Sequence, residues 1–126
     1  MKYALLIYGA PGAAEGVQPA AAPADDGVID RWLDYTAAVK QSGALLAAER
    51  LAQVDTATSL TSRGGERLLT DGPFMETKEH LLGFYLLDVP DLDSALDWAA
   101  RMPITRYGTV EVRPVLEGQA WRAPLE

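Results

Sequence analysis

The chain has 126 residues, 48% of them apolar and 23% charged, the size of one compact domain and the balance of a globule rather than a disordered or fibrous chain. Eighteen acids against eleven bases give a formal charge of −7, which works against non-specific attachment to nucleic acid or anionic lipid, since both need clustered cations. With no cysteine and one histidine, disulfides, thiolate nucleophiles and Cys- or His-rich metal cages are excluded, so no metal and no cofactor are expected.

Residues 2–8 are apolar and free of breakers and read as a first strand. The run is too short for the roughly 7–15 residues of a secretory core, and nothing approaches the ~20 of a membrane span; a cytoplasmic chain without membrane contact is expected. Residues 9–24, rich in Ala, Gly and Pro, read as a flexible loop, and Gly9-Ala10-Pro11-Gly12 lacks the Lys-Ser/Thr ending of a phosphate loop. Asp25 and Asp26 suit a helix N-cap and first turn. Ile29, Trp32, Leu33 and Thr36 follow as its core stripe, with Gly43 as the stop. Residues 44–53 read mostly as a strand.

Residues 56–61 and 66–70 form a hairpin around Arg63-Gly64-Gly65, which offers the positive φ that a tight turn needs. Asp71-Gly72-Pro73-Phe74 is a turn signal, with Gly72 held extended by the following proline and Phe74 anchoring the loop in apolar surroundings. His80 to Val89 is a nearly continuous apolar strand closed by Pro90. Asp91 caps a second helix with Leu92, Ala95, Leu96 and Ala99 on one stripe and Pro103 beyond its end. Residues 109–117 alternate as a half-polar strand, with Val110, Val112 and Leu116 opposite Thr109, Glu111 and Arg113; residues 118–126 form a tail. The β-α-β-hairpin-β-α-β order predicts one α+β domain over residues 1–126, a ferredoxin-like βαββαβ sandwich with an extra hairpin.

Two helices cover only one face of a four-stranded sheet. Yet Leu82, Phe84 and Leu86 oppose Leu81, Tyr85 and Leu87, and Tyr3, Leu5 and Ile7 oppose Ala4, Leu6 and Tyr8, so both faces are apolar. A large aliphatic side chain left wet forfeits roughly 1.5–3 kcal/mol. The economical cover is a second copy across a two-fold axis, a homodimer; the alternative is that residues 9–24 or the tail fold over that face.

Asp71-Gly72-Pro73-Phe74-Met75-Glu76-Thr77-Lys78-Glu79, followed by Gly83-Phe84-Tyr85 and Val110-Glu111-Val112-Arg113-Pro114-Val115, resembles the YCII-related proteins of the long, DGPF-domain type. The resemblance runs from strand 1 to about Glu117. It implies a ferredoxin-like fold dimerising as an α/β barrel, similar to cofactor-free monooxygenases and to chlorite-dismutase-like and muconolactone-isomerase-like proteins. It also implies a largely unassigned role, with some long members linked to extracytoplasmic-function sigma factors. Shorter members use a proposed His–Asp pair whose histidine lies in the first helix; residues 27–42 here contain none, so that pair does not carry over.

His80 is a candidate general acid–base group, because an imidazole gains and loses its proton near neutral pH. Asp71, nine residues upstream, orients it if the loop folds back. The plainer use of His80 is as a polar residue opening a strand, and that of Asp71 is to accept from the turn amides that follow. Asp71, Gly72, Pro73 and Phe74 also make a rigid ligand platform. Lys78 suits an anionic group or Glu111, while Glu111 and Arg113, two apart on one strand, suit one polar ligand or an ion pair at a dimer seam or with Glu49 and Arg50. Tyr8, Tyr85, Trp32 and Trp98 read as core filling. Two functions follow. One is a homodimeric small-molecule binder or cofactor-independent acid–base enzyme, its pocket between sheet and helices rimmed by Asp71, Lys78, His80, Glu111 and Arg113. The other is a non-catalytic regulatory module paired with a sigma factor. Heavy Ala, Gly and Arg usage suits a GC-rich bacterial genome.

Overall fold

The computed structural model describes residues 1–10, 27–75, 77–106 and 108–117. The expected loop over 9–24 beyond Ala10, the caps Asp25 and Asp26, Glu76 and the 118–126 tail lie outside the described residues. The elements are β1 (Lys2–Gly9), α1 (Val28–Ser42), β2 (Leu45–Arg50), β3 (Thr58–Arg63), β4 (Glu66–Asp71), β5 (His80–Asp88), α2 (Leu92–Ala100) and β6 (Thr109–Pro114), with single 3-10 turns at Val54–Thr56 and Pro103–Arg106. Four strands form a sheet ordered β2-β5-β1-β6, every neighbouring pair antiparallel, and β3–β4 form a separate two-stranded ribbon. The ferredoxin-like α+β order and the hairpin inserted in it are as the pattern predicts.

One face of the sheet is clad by both helices. Tyr3, Leu5 and Ile7 of β1 and Tyr85 and Leu87 of β5 pack with Tyr35 and Val39 of α1 and Ala95 and Ala99 of α2 into a single core. Leu5, Leu87 and Val39 are fully enclosed. The other face carries Ala4, Leu6, Tyr8, Phe84 and Leu86, all only half-buried, and no described element covers it.

Helix α1 differs from its sequence reading. Gly27 takes the cap position without a side-chain bond, and Asp30 is the acid of the first turn. Its buried residues are Tyr35 and Val39, whereas Ile29 is 42% and Leu33 64% exposed. The helix is therefore rotated so that its aromatic edge, not its aliphatic one, meets the sheet; Trp32 and Thr36 lie at the margin of both stripes and are half-buried. The stop is as expected: Gly43 adopts φ 83 and donates its N–H to the Lys40 carbonyl. In α2 the small residues Ala95 and Ala99 are buried and the larger Leu92 and Leu96 are exposed. Asp91 Oδ1 accepts from both the backbone N–H and the hydroxyl of Ser94 at 2.8 Å. Strand β6 stops at Pro114, so Leu116 is 79% exposed beyond it instead of continuing the Val110–Val112 row.

Strict alternation in β5 also fails, for a local reason. Ile7 pairs with Gly83 but Tyr8 with Leu81, so Leu82 is the extra residue of a β-bulge. It joins Tyr85 and Leu87 on the clad side, and Leu81 changes to the open side.

The hairpin closes through Gly64 (φ 57) and Gly65 (φ 84), two consecutive positive-φ residues. At its far end Gly72 has φ 97, not the extended conformation expected before proline. The reason is a backbone bond: Gly72 donates to the Ala57 carbonyl at 2.7 Å, one step past the Thr58–Asp71 pair, while Ser59 Oγ donates to the Gly72 carbonyl at 2.8 Å. Phe74, expected to anchor the loop, is 82% exposed.

Leu5→Ala empties a fully enclosed site, and urea unfolding is expected to show a loss of about 2–5 kcal/mol. The two Ser94 bonds hold the Asp91 carboxyl below its usual value of 3.8. A lowered native value means that this contribution is complete above the unfolded value and drains as pH falls through the native one. Thermal melts of Asp91→Asn from neutral to acid pH are expected to show a flatter acid limb than the wild type.

Candidate functional site

Two hollows lie on opposite sides of the β5 bulge. The smaller, about 170 Å³, is a groove between α1 and the sheet, walled by Ile7, Trp32, Leu33, Leu82 and Tyr85 with Glu49 and Arg50 at its rim. Behind it stands an aromatic cluster. Trp32 stacks on Tyr85 at 6.1 Å, and Tyr35 meets Trp32, Tyr85 and Trp98 edge-on. Tyr35 donates its hydroxyl to the Trp98 carbonyl at 2.8 Å, the Tyr85 hydroxyl is hydrogen-bonded to Thr36, and the Arg101 guanidinium lies over the Trp98 ring. Among the described residues the buried Trp32 Nε1 has no hydrogen-bond acceptor. Trp32, Tyr85 and Trp98 thus fill the core as expected, and Tyr35, unremarked in the sequence, is the ring that joins them.

The larger hollow, about 710 Å³, is a cleft at the end of β1 and the start of β5. Tyr8 comes from β1 and His80 and Leu81 from β5. The 51–57 connection and the Pro73–Met75 turn supply the outer walls, and Glu79 the edge next to β6. Four local hydrogen bonds give these walls their shape. Leu51 donates its N–H to the Leu82 carbonyl at 2.8 Å, so the bulge also holds the connection that leaves β2. The Gly72–Ala57 bond ties the two outer walls together. Thr109 Oγ1 donates to Glu79 Oε1 at 3.1 Å, and the Thr77 hydroxyl donates to the Glu79 carbonyl, which fixes the carboxylate beside β6. The cleft is mainly apolar with a few polar groups, in the size range of small-ligand sites.

The structure separates the residues expected to rim one pocket. His80 lines the cleft, half-buried, and its imidazole has no hydrogen-bond partner among the described residues. Pro73 and Phe74 line it too. Asp71 ends β4 opposite Thr58, exposed and outside the wall, and no hydrogen bond joins it to His80. Nor does it accept from the turn amides; the hairpin backbone and Ser59 hold the turn instead. Gly72 sits in that tie. Lys78 is exposed outside the wall and forms no ion pair with Glu111 among the described residues. Glu111 and Arg113 stand on the open sheet face, opposite Leu6 and Ala4. Neither is paired with Glu49 or Arg50. The cleft's own polar groups include Glu79 and Tyr8, the latter assigned to the core by the sequence reading; only the bulge, invisible in composition, aims Leu81 at the same side as its partner Tyr8. Among the described residues no three His, Asp or Glu side chains gather as a metal site, and no helix is long and apolar enough to cross a membrane.

Fold and site together define a ferredoxin-like α+β protein with an inserted hairpin whose loop overhangs a mainly apolar cleft. The chain belongs to the YCII-related domain family, whose pattern matches residues 1–119. It is 39% identical over 122 residues to an uncharacterised protein of Rhizobium meliloti, covering 91% of this chain and 92% of that one. Among solved structures it is similar to 5-chloro-2-hydroxyhydroquinone dehydrochlorinase (TftG) of Burkholderia phenoliruptrix, determined in complex with 2,5-dihydroxybenzoquinone. The TM-score is 0.51 at 12% identity, over 95% of this chain and 98% of that one. At that identity the likeness is one of fold.

Burial pushes the Tyr35 phenol well above the usual tyrosine range; the Tyr85 phenol adds to the rise, and Arg101 opposes it. Burial also raises Tyr85, against the hydrogen bond it shares with Thr36. Raised values favour the neutral native state, so this contribution is intact below the ordinary value of ~10 and is lost as pH climbs through the native ones. Alkaline titration of the phenolate absorbance is expected to show late-ionising tyrosines that appear with unfolding, one fewer in Tyr35→Phe and one fewer in Tyr85→Phe.

Proposed function

We propose that this protein is a homodimeric small-molecule-binding protein of the YCII-related family whose ligand lies in the cleft beneath the Asp71–Phe74 turn, with His80 as the group that moves a proton. The observation that carries this reading is the position of the chain's sole histidine in the wall of a ligand-sized, mainly apolar cleft, beside Tyr8 and Glu79. Pro73, Phe74 and Leu81 suit the body of a flat apolar molecule, and the imidazole, phenol and carboxylate suit polar substituents on its edge. The TftG fold accommodates a dihydroxylated quinone ring, a molecule of that description. Chemistry here is cofactor-independent acid–base transfer, with the imidazole taking or returning a proton at a ring hydroxyl or an adjacent carbon. Asp71 and Gly72 act by holding the turn. Lys78, Glu111 and Arg113 lie outside the cleft of a single chain.

A second reading, a regulatory module paired with a sigma factor, draws on the exposure of Phe74 and Met75 at the loop tip, which a partner protein could cover.

The test is a thermal-shift and calorimetric screen of hydroxylated aromatics and quinones, 2,5-dihydroxybenzoquinone among them. At least one compound is expected to stabilise the wild type. His80→Ala is expected to weaken it by about tenfold, or ~1.4 kcal/mol. Where turnover accompanies binding, His80→Gln is expected to slow it by ~10²-fold or more. A folded protein that binds none of these compounds favours the regulatory reading, and undiminished binding by His80→Ala removes the histidine from the site.

A further inference from the structure

The charge inventory of the cleft is one-sided. Among the described residues its ionisable side chains are Tyr8, Glu79 and His80, and no lysine or arginine lines it. Lys78, next in sequence to Glu79, is exposed and outside the wall. A phenol and an imidazole can both be neutral near pH 7, so the one standing charge belongs to Glu79. Its carboxylate is half-buried and has no ion pair among the described residues.

That carboxylate is held in place. Thr109 reaches from β6 and donates its hydroxyl to Glu79 Oε1 at 3.1 Å, while the Thr77 hydroxyl donates to the Glu79 carbonyl. Oε2 accepts from no described residue. The cleft's threonine hydroxyls are committed elsewhere: Thr77 as above, and Thr56 to the Gln53 carbonyl at 2.6 Å. A carboxylate only accepts hydrogen bonds. In a mainly apolar hollow, where water screens weakly, it is stabilised by a donor and destabilised by a second negative charge. A ring hydroxyl meets that requirement. An ether at the same place also only accepts, and a carboxylate on the ring repels.

We propose that Glu79 is the specificity-determining residue of the cleft: its carboxylate, anchored by Thr109, accepts a hydrogen bond from a ring hydroxyl and so selects uncharged, hydroxyl-bearing aromatics over their O-alkylated and carboxylated counterparts. This rests on the cleft being the binding site, as proposed above, and adds the charge and donor pattern of what it holds. His80 remains the group that moves the proton. The discrimination comes as much from what Glu79 rejects as from what it binds.

Three probes built on one ring test this by calorimetric titration under argon at neutral pH. They are hydroquinone, 1,4-dimethoxybenzene, which donates nothing, and 2,5-dihydroxybenzoate, which adds an anion. The wild type is expected to bind hydroquinone about tenfold more tightly than either analogue. Glu79→Gln keeps the size of the side chain, removes the charge and adds a donor, and is expected to narrow both gaps several-fold. Thr109→Val, an exposed change that frees Oε1, is expected to narrow them part-way with an unchanged melting temperature. The wild-type ranking needs no variant to fold. His80→Ala is expected to weaken hydroquinone, which ties the probe to the cleft independently of Glu79. Failure of all three probes to bind, or hydroquinone binding untouched by His80→Ala, overturns the cleft reading and this inference with it. Binding that depends on His80 but ranks the three probes alike, or a preference undiminished in Glu79→Gln, overturns the role of Glu79 alone.

Discussion

Helices of 15 and 9 residues clothe one side of a four-stranded antiparallel sheet, and the strands are apolar on both. That mismatch between cover and surface governs the rest of the molecule. On the clad side the side chains reach full burial around Leu5, Leu87 and Val39. On the open side the same strands present Leu6, Phe84 and Leu86 half-wet, at a cost of order 1.5–3 kcal/mol for each large side chain left fully exposed. Charge on that side stands on the flanking strands, at Glu49 on β2 and at Glu111 and Arg113 on β6, and at one end of the central strands, where Lys2 pairs with Asp88. A surface built this way has an apolar middle and a charged margin, the composition of an interface rather than of a solvated face.

The bulge at Leu82 converts this general arrangement into a particular site. One extra residue moves Leu82 into the core and turns Leu81 to the open side beside Tyr8. The same step lets the Leu82 carbonyl accept from Leu51, which directs the chain leaving β2 toward the hairpin. The hairpin then returns through the Asp71-Gly72-Pro73-Phe74 turn, whose backbone tie to Ala57 closes the outer walls around a space of about 710 Å³. A signature that reads as a rigid turn thus acts as an overhang. Its rigidity comes from a backbone bond and the Ser59 hydroxyl, and the Asp71 carboxylate is left outside.

Across the core from that cleft the aromatic cluster has a different role. Tyr35 touches Trp32, Tyr85 and Trp98, and its hydroxyl reaches the α2 backbone. It joins both helices to the central strand through rings and two buried phenols whose pKa values burial raises. The groove beside it is small and lined by apolar groups. In α1 the ring of Trp32 stacks on that of Tyr85 and Tyr35 meets it edge-on, which is why the helix turns its aromatic edge inward and leaves Leu33 in solvent.

Element order, both helix stops, the Gly64-Gly65 turn and the Asp91 cap were all legible from residue types, because each depends on backbone geometry within a few positions. So were the two-sided apolar character of β1 and β5 and the family pattern spread over nearly the whole length. Which side chains share a cavity was not. A one-residue bulge reverses the facing of everything before it in β5, and no local signal announces it. The rotation of α1 likewise depends on the ring that Trp32 and Tyr35 meet, 53 and 50 residues away in Tyr85. For that reason His80 and Tyr8 meet in one wall while Asp71, Lys78, Glu111 and Arg113 are carried elsewhere. Short-range chemistry decides where strands and helices begin and end; long-range register decides which of their side chains face one another.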